Sequence, residues 1–337
     1  MRIIVGDNSG RKIGEIEGNV EELSWRLNDI GRARITLSTK DPKSKQDHLR
    51  YGNRILVLFE NGLPNWGGMI DPPRQWANGL VTVTAYSGEY ILGTRTTDKG
   101  RYFDDATVGY IFERVILEAN ADEPMGITVG DVWGGGHPPG PDYHFKDLLW
   151  IIRESICGRM STADFAILAS ESGGKIVFTA NLYQRRGQDL PNVVLREGEN
   201  VNIKALDEQG KIVNSWDMAG EGTGWGEDRL MSHREDQESI SAYGLREDSQ
   251  VYSDVSVKTT LDTHGDNALA ESKQPARVWN LEALNEKPSP FSAYDVGDSV
   301  TLQTQSYGFG GFNGLVRVIG RSYDPKKGTC GLVVEEV

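Results

Sequence analysis

His137 and His144, with Asp142 between them, come nearest in this sequence to a metal site. Zinc takes four donors at short, recurring spacings, and neither a cysteine nor a second histidine pair lies close enough to complete a set. A loop histidine and a histidine at a helix start are the better account. His233 with Glu235 and Asp236 reads likewise as a solvated charged face. The run Gly220-Glu221-Gly222-Thr223-Gly224-Trp225-Gly226 has the texture of a phosphate loop. It lacks the Lys-Ser/Thr of such a loop and joins no apolar strand to a helix, so it reads as a flexible turn. Neighbouring carboxylates occur at Asp104-Asp105, at Glu197 with Glu199, and at Glu335-Glu336. Glycoside hydrolysis uses such pairs, yet with 49 acidic residues chance adjacency accounts for them. No Gly-x-Ser-x-Gly elbow and no local Ser/His or Cys/His arrangement marks an activated nucleophile. The expectation is a non-enzymatic protein with no catalytic, cofactor-binding or metal residues. A glycan-active enzyme using two carboxylates, or a carbohydrate-binding protein using exposed tryptophans, is the alternative.

At 337 residues the chain has room for several domains, given domain sizes of roughly 100–200 residues. Hydrophobic content of 38 % and charged content of 25 % suit a globular protein, and 40 glycines suit a turn-rich β structure. A net charge of −13 argues against a grip on nucleic acid, which needs a Lys/Arg surplus to neutralise phosphates. Cys157 and Cys330 fall in an apolar helical pattern and a strand pattern, as buried small hydrophobes do. No apolar run has the length of a signal peptide or a membrane span, so a soluble, non-secreted chain is expected.

From Arg2 to about Thr97 the pattern is strand and turn. Ile13 to Ile16, Leu23 to Leu27 and Ala33 to Leu37 alternate near period two, broken by Gly18, Asn28-Asp29 and Gly31. Asp105 is placed to cap an amphipathic helix with Val108, Ile111, Phe112, Val115 and Ile116 on one face. His144 to Cys157 carries a second stripe of Phe145, Leu148, Leu149, Ile152 and Ile156. Phe165 to Ala169 and Ile176 to Ala180 read as a hairpin around Ser172-Gly173-Gly174, and Thr263 to Lys273 as a short helix.

The strongest organisational signal is a duplication. Gly52 to Leu58, Gly67 to Ile70, a turn at Asp71-Pro72 and Leu80 to Thr84 match Gly297 to Leu302, Gly314 to Ile319, Asp324-Pro325 and Gly331 to Val334. Three strands with turn residues in the same order describe one small β-barrel used twice. The fold class expected is mainly β with α+β parts. Residues 1–96 form a first β-barrel, 97–195 an α+β domain, 196–220 with 286–337 a second, split β-barrel, and 221–285 an inserted segment. Trp25, Trp66, Trp76, Trp133, Trp150, Trp216, Trp225 and Trp279 are scattered, as core and interface fillers are. Trp66, with Gly67 and Gly68, is singled out as a candidate interface or barrel plug.

Three runs carry a resemblance: Asn65-Trp66-Gly67-Gly68-Met69-Ile70, Ser239-Ile240-Ser241-Ala242-Tyr243-Gly244 and Tyr294-Asp295-Val296-Gly297-Asp298-Ser299-Val300. In this order, with the duplication, they resemble the tail-hub proteins of tailed bacteriophages, also called baseplate hub or tail-associated proteins. The resemblance implies four sub-domains, two of them similar β-barrels. It implies a homotrimer whose six barrels form a pseudo-sixfold ring joining the hexameric tail tube to a threefold tip and lining the DNA channel. Implied partners are a distal tail or tail tube protein, a tip, spike or fibre protein, and the tape-measure protein. Specific nucleic-acid binding and membrane insertion are not expected, and the place implied is the virion tail tip, assembled in the host cytoplasm. Many such proteins carry a C-terminal fibre, peptidase or lysozyme module. The sequence shows none after Glu335-Glu336-Val337, so wall cleavage and receptor binding are expected of another chain.

Overall fold

The computed structural model describes residues 1–44, 47–97, 101–103, 106–136, 142–158, 163–222, 229–253, 255–305 and 310–337. Seven strands come first: β1 (Arg2–Gly6), β2 (Lys12–Ile16), β3 (Asn19–Arg26), β4 (Arg32–Ser38), β5 (Arg54–Leu58), β6 (Trp66–Ala77) and β7 (Leu80–Ser87). They lie in the order β2-β1-β5-β6-β7-β4-β3. Inward residues of this first β unit, among them Val5, Leu23, Ile35, Ile55, Trp66 and Val83, share one core. Ile4 and Leu56 point the other way, into the core of the following part of the chain. Burial on both faces explains why β1 and β5 read as unbroken apolar runs rather than alternating ones.

The following part holds α1 (Gly88–Gly93), β8 (Arg101–Tyr102), α2 (Val108–Asp122), β9 (Ile127–Val132), β10 (Asp142–Tyr143), α3 (Leu148–Trp150), β11 (Asp164–Ser172) and β12 (Lys175–Tyr183). β11 and β12 form the hairpin read from Gly173-Gly174, and β9 adds to β12 in parallel. The apolar face of α2 is buried as its spacing required. Its cap is Thr107, whose side chain accepts from the Tyr110 N–H; the expected Asp105 lies outside the described residues. The stripe from His144 is interrupted. Phe145 has φ of 52° and is 69 % exposed. The helix starts only where Asp147 accepts from the Trp150 N–H at 2.7 Å, and it continues as a π-type turn over Ile151–Gly158.

The rest comprises β13 (Asp189–Arg196), β14 (Val201–Gln209), β15 (Ser215–Ala219), β16 (Met231–Glu235), α4 (Gln237–Tyr243), β17 (Glu247–Val251), α5 (Lys258–Ser272), β18 (Ala276–Leu284), β19 (Ser299–Gln303), β20 (Asn313–Asp324) and β21 (Thr329–Glu336). A second β unit has the order β14-β18-β21-β20-β19-β13, matching β3-β4-β7-β6-β5-β1 position for position. One pairing differs in sense: β1 runs antiparallel to β5, β13 parallel to β19. Pairing also moves elements relative to the expected ranges. β13 belongs with β19, β18 lies between β14 and β21, and β15 pairs with β16 and β17 in a separate sheet. That sheet packs with α5 around Met218, Tyr252, Val255 and Leu261.

The duplication extends to individual hydrogen bonds. The Gly52 N–H donates to Ile70 O at 2.9 Å and the Ile70 N–H to Asn53 O at 2.8 Å. In the second copy the Gly297 N–H donates to Val318 O and the Val318 N–H to Asp298 O, both at 2.8 Å. Gly52 and Gly297 have φ of 88° and 102°, a region open to glycine at little cost. Arg74 and Arg321 also correspond: Arg74 donates to Leu49 O and stacks over Tyr51, and Arg321 donates to Tyr294 O at 3.0 Å and stacks over Tyr294 and Phe291. Asp71-Pro72 is not the expected turn. It is a bulge inside β6, one ladder step from the position that matches the bulge between Val318 and Gly320 in β20, because proline has no N–H for the ladder and settles where pairing lapses.

The units meet where β3 pairs antiparallel with β20, from Leu23↔Tyr323 to Arg26↔Gly320. Beside this joint sits Asp164 of β11, only 3 % exposed. Its carboxylate accepts from Asn28 Nδ2 at 2.8 Å, from the Arg186 N–H at 2.7 Å, and from the Arg317 guanidinium. These donors come from the first unit, the segment after β12, and β20. Removing a buried carboxylate strands an arginine and an amide, at a typical cost of about 3–5 kcal/mol. Asp164→Ala is therefore expected to lower stability by about that amount, measured by denaturant unfolding; a loss under about 1 kcal/mol would remove Asp164 from this role.

Candidate assembly interface

The residues that suggested chemistry are mostly engaged in structure. His144 is exposed and stacks on Phe145 at 4.3 Å, and His137 lies outside the described residues. His233 sits on the surface between Asp217 at 2.9 Å and Glu235 at 3.4 Å, and the Asp217 hydrogen bond raises its pKa. Asp236 caps α4 by accepting from the Ser239 N–H at 2.9 Å and pairs with Lys273 at 3.0 Å. Thus Ser239 to Gly244, one of the three resembling runs, is a short capped helix closed by Gly244 at φ of 76°. No group of metal-ligating side chains occurs among the described residues.

Glu197 accepts from the Gln305 N–H at 2.9 Å, and Glu199 pairs with Arg196 at 3.0 Å. Glu336 accepts from Trp279 Nε1 at 3.1 Å. Glu335 lines a cleft with Glu271 and Arg277, where burial raises both glutamate pKa values and Glu335 raises that of Glu271 further. Asp104-Asp105 and Thr223 to Gly226 lie outside the described residues. Cys330 is fully buried, Cys157 half-buried, and burial raises both thiol pKa values, which keeps them protonated.

Trp66, Gly67 and Gly68 stand at a contact inside the chain. Trp66 is 1 % exposed in the core of the first unit, and its Nε1 donates to Ser24 O at 2.9 Å. Ser24 lies on β3, the strand that pairs with β20, so the indole helps hold that strand. A Cβ on Gly67 would come 2.1 Å from Ala169 Cβ of β11, and one on Gly68 2.1 Å from Tyr86 O. Glycine at both positions permits the close approach of β6 to β11 and β7. Arg54 completes this contact: 4 % exposed, it donates to Met125 O at 2.8 Å and Asn8 O at 2.9 Å over the Phe178 ring. Its part was not evident from sequence, since a single Arg in an apolar run gives no sign of what it meets.

The joint between the units is apolar as well as hydrogen-bonded. Phe59 lies 5.9 Å from Trp25 and meets Tyr323 edge-on at 5.8 Å, and Asn61 Nδ2 donates to the Tyr323 hydroxyl at 3.2 Å. Leu63, from the first unit, is buried in the core of the second. The arrangement joins the two like units end to end within one chain.

No family model matches the sequence, and no curated protein matches it. Solved structures match its fold. A tail protein from Neisseria meningitidis MC58 is similar with a TM-score of 0.64 and 13 % identity, covering 99 % of this chain and 96 % of that one. Prophage tail protein gp18 from Listeria monocytogenes EGD-e has a TM-score of 0.63 and 11 % identity, covering 99 % and 94 %. The 43 kDa tail protein of prophage MuSo2 from Shewanella oneidensis has a TM-score of 0.62 and 12 % identity, covering 100 % and 98 %. The chain shares the β-rich α+β fold of these tail proteins over almost its whole length.

Two outcomes follow from the contact at Gly67. Gly67→Val is expected to destabilise the chain by about 1–3 kcal/mol, the usual cost of overpacking, read as a lower midpoint in thermal unfolding. Glu89 of α1 is buried and accepts from the Ile167 N–H at 2.9 Å, and desolvation raises its pKa against the opposing hydrogen bond from Ser87. With the folded value above the unfolded one, its contribution is intact at low pH and lost as pH rises above about 4.3 through the folded value. Glu89→Gln is expected to flatten that decline; parallel melting curves against pH for both proteins would show the reverse.

Proposed function

We propose that this chain is a structural, non-enzymatic component of a phage tail, a hub at the tail tip. What carries the reading is the strand-for-strand duplication joined through β3 and β20. A chain with two like units in series can present six near-equivalent faces as a trimer, and so mate a sixfold tube to a threefold tip. The fold shared with tail proteins from three bacteria, two of them prophage proteins, supports the same assignment. In this role one face of a homotrimeric ring meets the tail tube or distal tail protein, and the opposite face a tip, spike or fibre protein. The tape-measure protein is a further partner of the ring in this role. The net charge of −13 suits a channel that DNA traverses without adhering, since a protein with an acidic balance repels phosphates.

The test is mass in solution together with imaging of particles. A species three times the 37.3 kDa chain, and antibody label at the tail tip in negative stain, are expected. A stable monomer absent from purified particles would sink the reading.

A further inference from the structure

The repeat leaves two strand edges unfilled, and they are the counterparts of the two edges that pair inside the chain. β3 and β14 correspond through their bulges, Val20/Glu22 against β4 and Ile203/Ala205 against β18. Leu23 thus matches Leu206, and Arg26 matches Gln209. β6 and β20 correspond through β7 and β21: Arg74 lies opposite Val83 as Arg321 lies opposite Leu332, and Trp76 matches Tyr323. β3 fills the edge of β20. Among the described residues, no strand fills the matching edge of β6 beyond Met69, and none pairs with β14 except β18.

Exposure follows the same pattern. Tyr323 packs under Phe59, whereas its counterpart Trp76 is 63 % exposed. Val296 is 1 % exposed in a core to which the first unit contributes Trp25, Phe59 and Leu63, whereas its counterpart Tyr51 is 45 % exposed. Tyr51, Arg74 and Trp76 form a stacked surface strip beside the open β6 edge. These positions are covered in the copy that has a neighbour and bare in the copy that lacks one.

We infer that the occupant is a second copy of this chain, whose β14 pairs antiparallel with the open edge of β6. Carrying over the internal register sets Leu206 opposite Trp76, Asp207 opposite Gln75, Glu208 opposite Arg74, and Gln209 opposite Asp71. An apolar residue meets the bare indole, and a carboxylate meets a guanidinium. The contact is head to tail, so each copy offers β14 to one neighbour and β6 to the other, and identical steps close into a ring. This rests on the ring reading above and specifies which edges make it.

Opposed residues in an antiparallel pair have Cβ atoms about 4.5–5.5 Å apart, near enough for a disulfide after small adjustment. The full chain carrying Leu206→Cys with Trp76→Cys, or Asp207→Cys with Gln75→Cys, is oxidised mildly in concentrated solution and in assembled particles. Covalent bands up to three chains are expected for both pairs. None is expected for the single variants or for Leu206→Cys with Gln75→Cys, whose side chains lie on opposite faces of the sheet. A trimeric mass without cross-links from either in-register pair overturns the edge assignment and leaves the ring reading standing. Equal cross-linking of the off-register pair overturns the register. A chain that stays monomeric and is missing from particles overturns both readings.

Discussion

The structure depends on the burial of the Asp164 carboxylate. A charge withdrawn from water is tolerated only when donors replace its hydration. Here an amide from the β3–β4 turn, a backbone N–H after β12 and a guanidinium from β20 supply them. Because the three donors come from parts of the chain far apart in sequence, meeting the requirement brings those parts to one place. Asn28 reinforces this by also accepting from the Phe165 N–H at 2.8 Å. The β3–β20 register lies next to this point and is held by it.

Around that constraint, one β unit is built twice and set in different surroundings. In the first copy the α+β part covers the outer face of β1 and β5, and Ile4 and Leu56 are buried there. In the second, β19 keeps Val300 and Leu302 inside while Thr301 is only half-buried. The same strand position is therefore uniformly apolar in one copy and alternating in the other. The arginines at Arg74 and Arg321 show the same divergence: both serve a carbonyl five residues ahead of the next strand, but only Arg321 is sealed from solvent.

Most candidates for chemistry are accounted for by this construction. The carboxylates near His233 cap a helix or form surface pairs, Trp66 holds β3, and the glycines beside it permit a close contact. Polar groups are spent on joining parts, and the distinctive surface left over is a pair of strand edges. An open edge is a hazard unless charged or filled, and Asp207 and Glu208 on β14, held by Asn280 and Arg277 of β18, give that edge a charged character.

The sequence by itself determined the β-rich class, the duplication, the buried face of α2 and the β11–β12 hairpin, because each rests on local periodicity or turn chemistry. It also determined the absence of any standard motif for a metal or a nucleophile. Tertiary structure alone decided what pairs with what. Asp71-Pro72 looks like Asp324-Pro325 in sequence, yet one is a bulge and the other leads into a turn, since the ladder around a proline sets its role. β15 and β18 carry strand patterns that do not name their partners. Nor do the types of Asp164, Arg54 and Gly67 reveal that each sits between parts, since long-range burial leaves no periodic trace in the sequence.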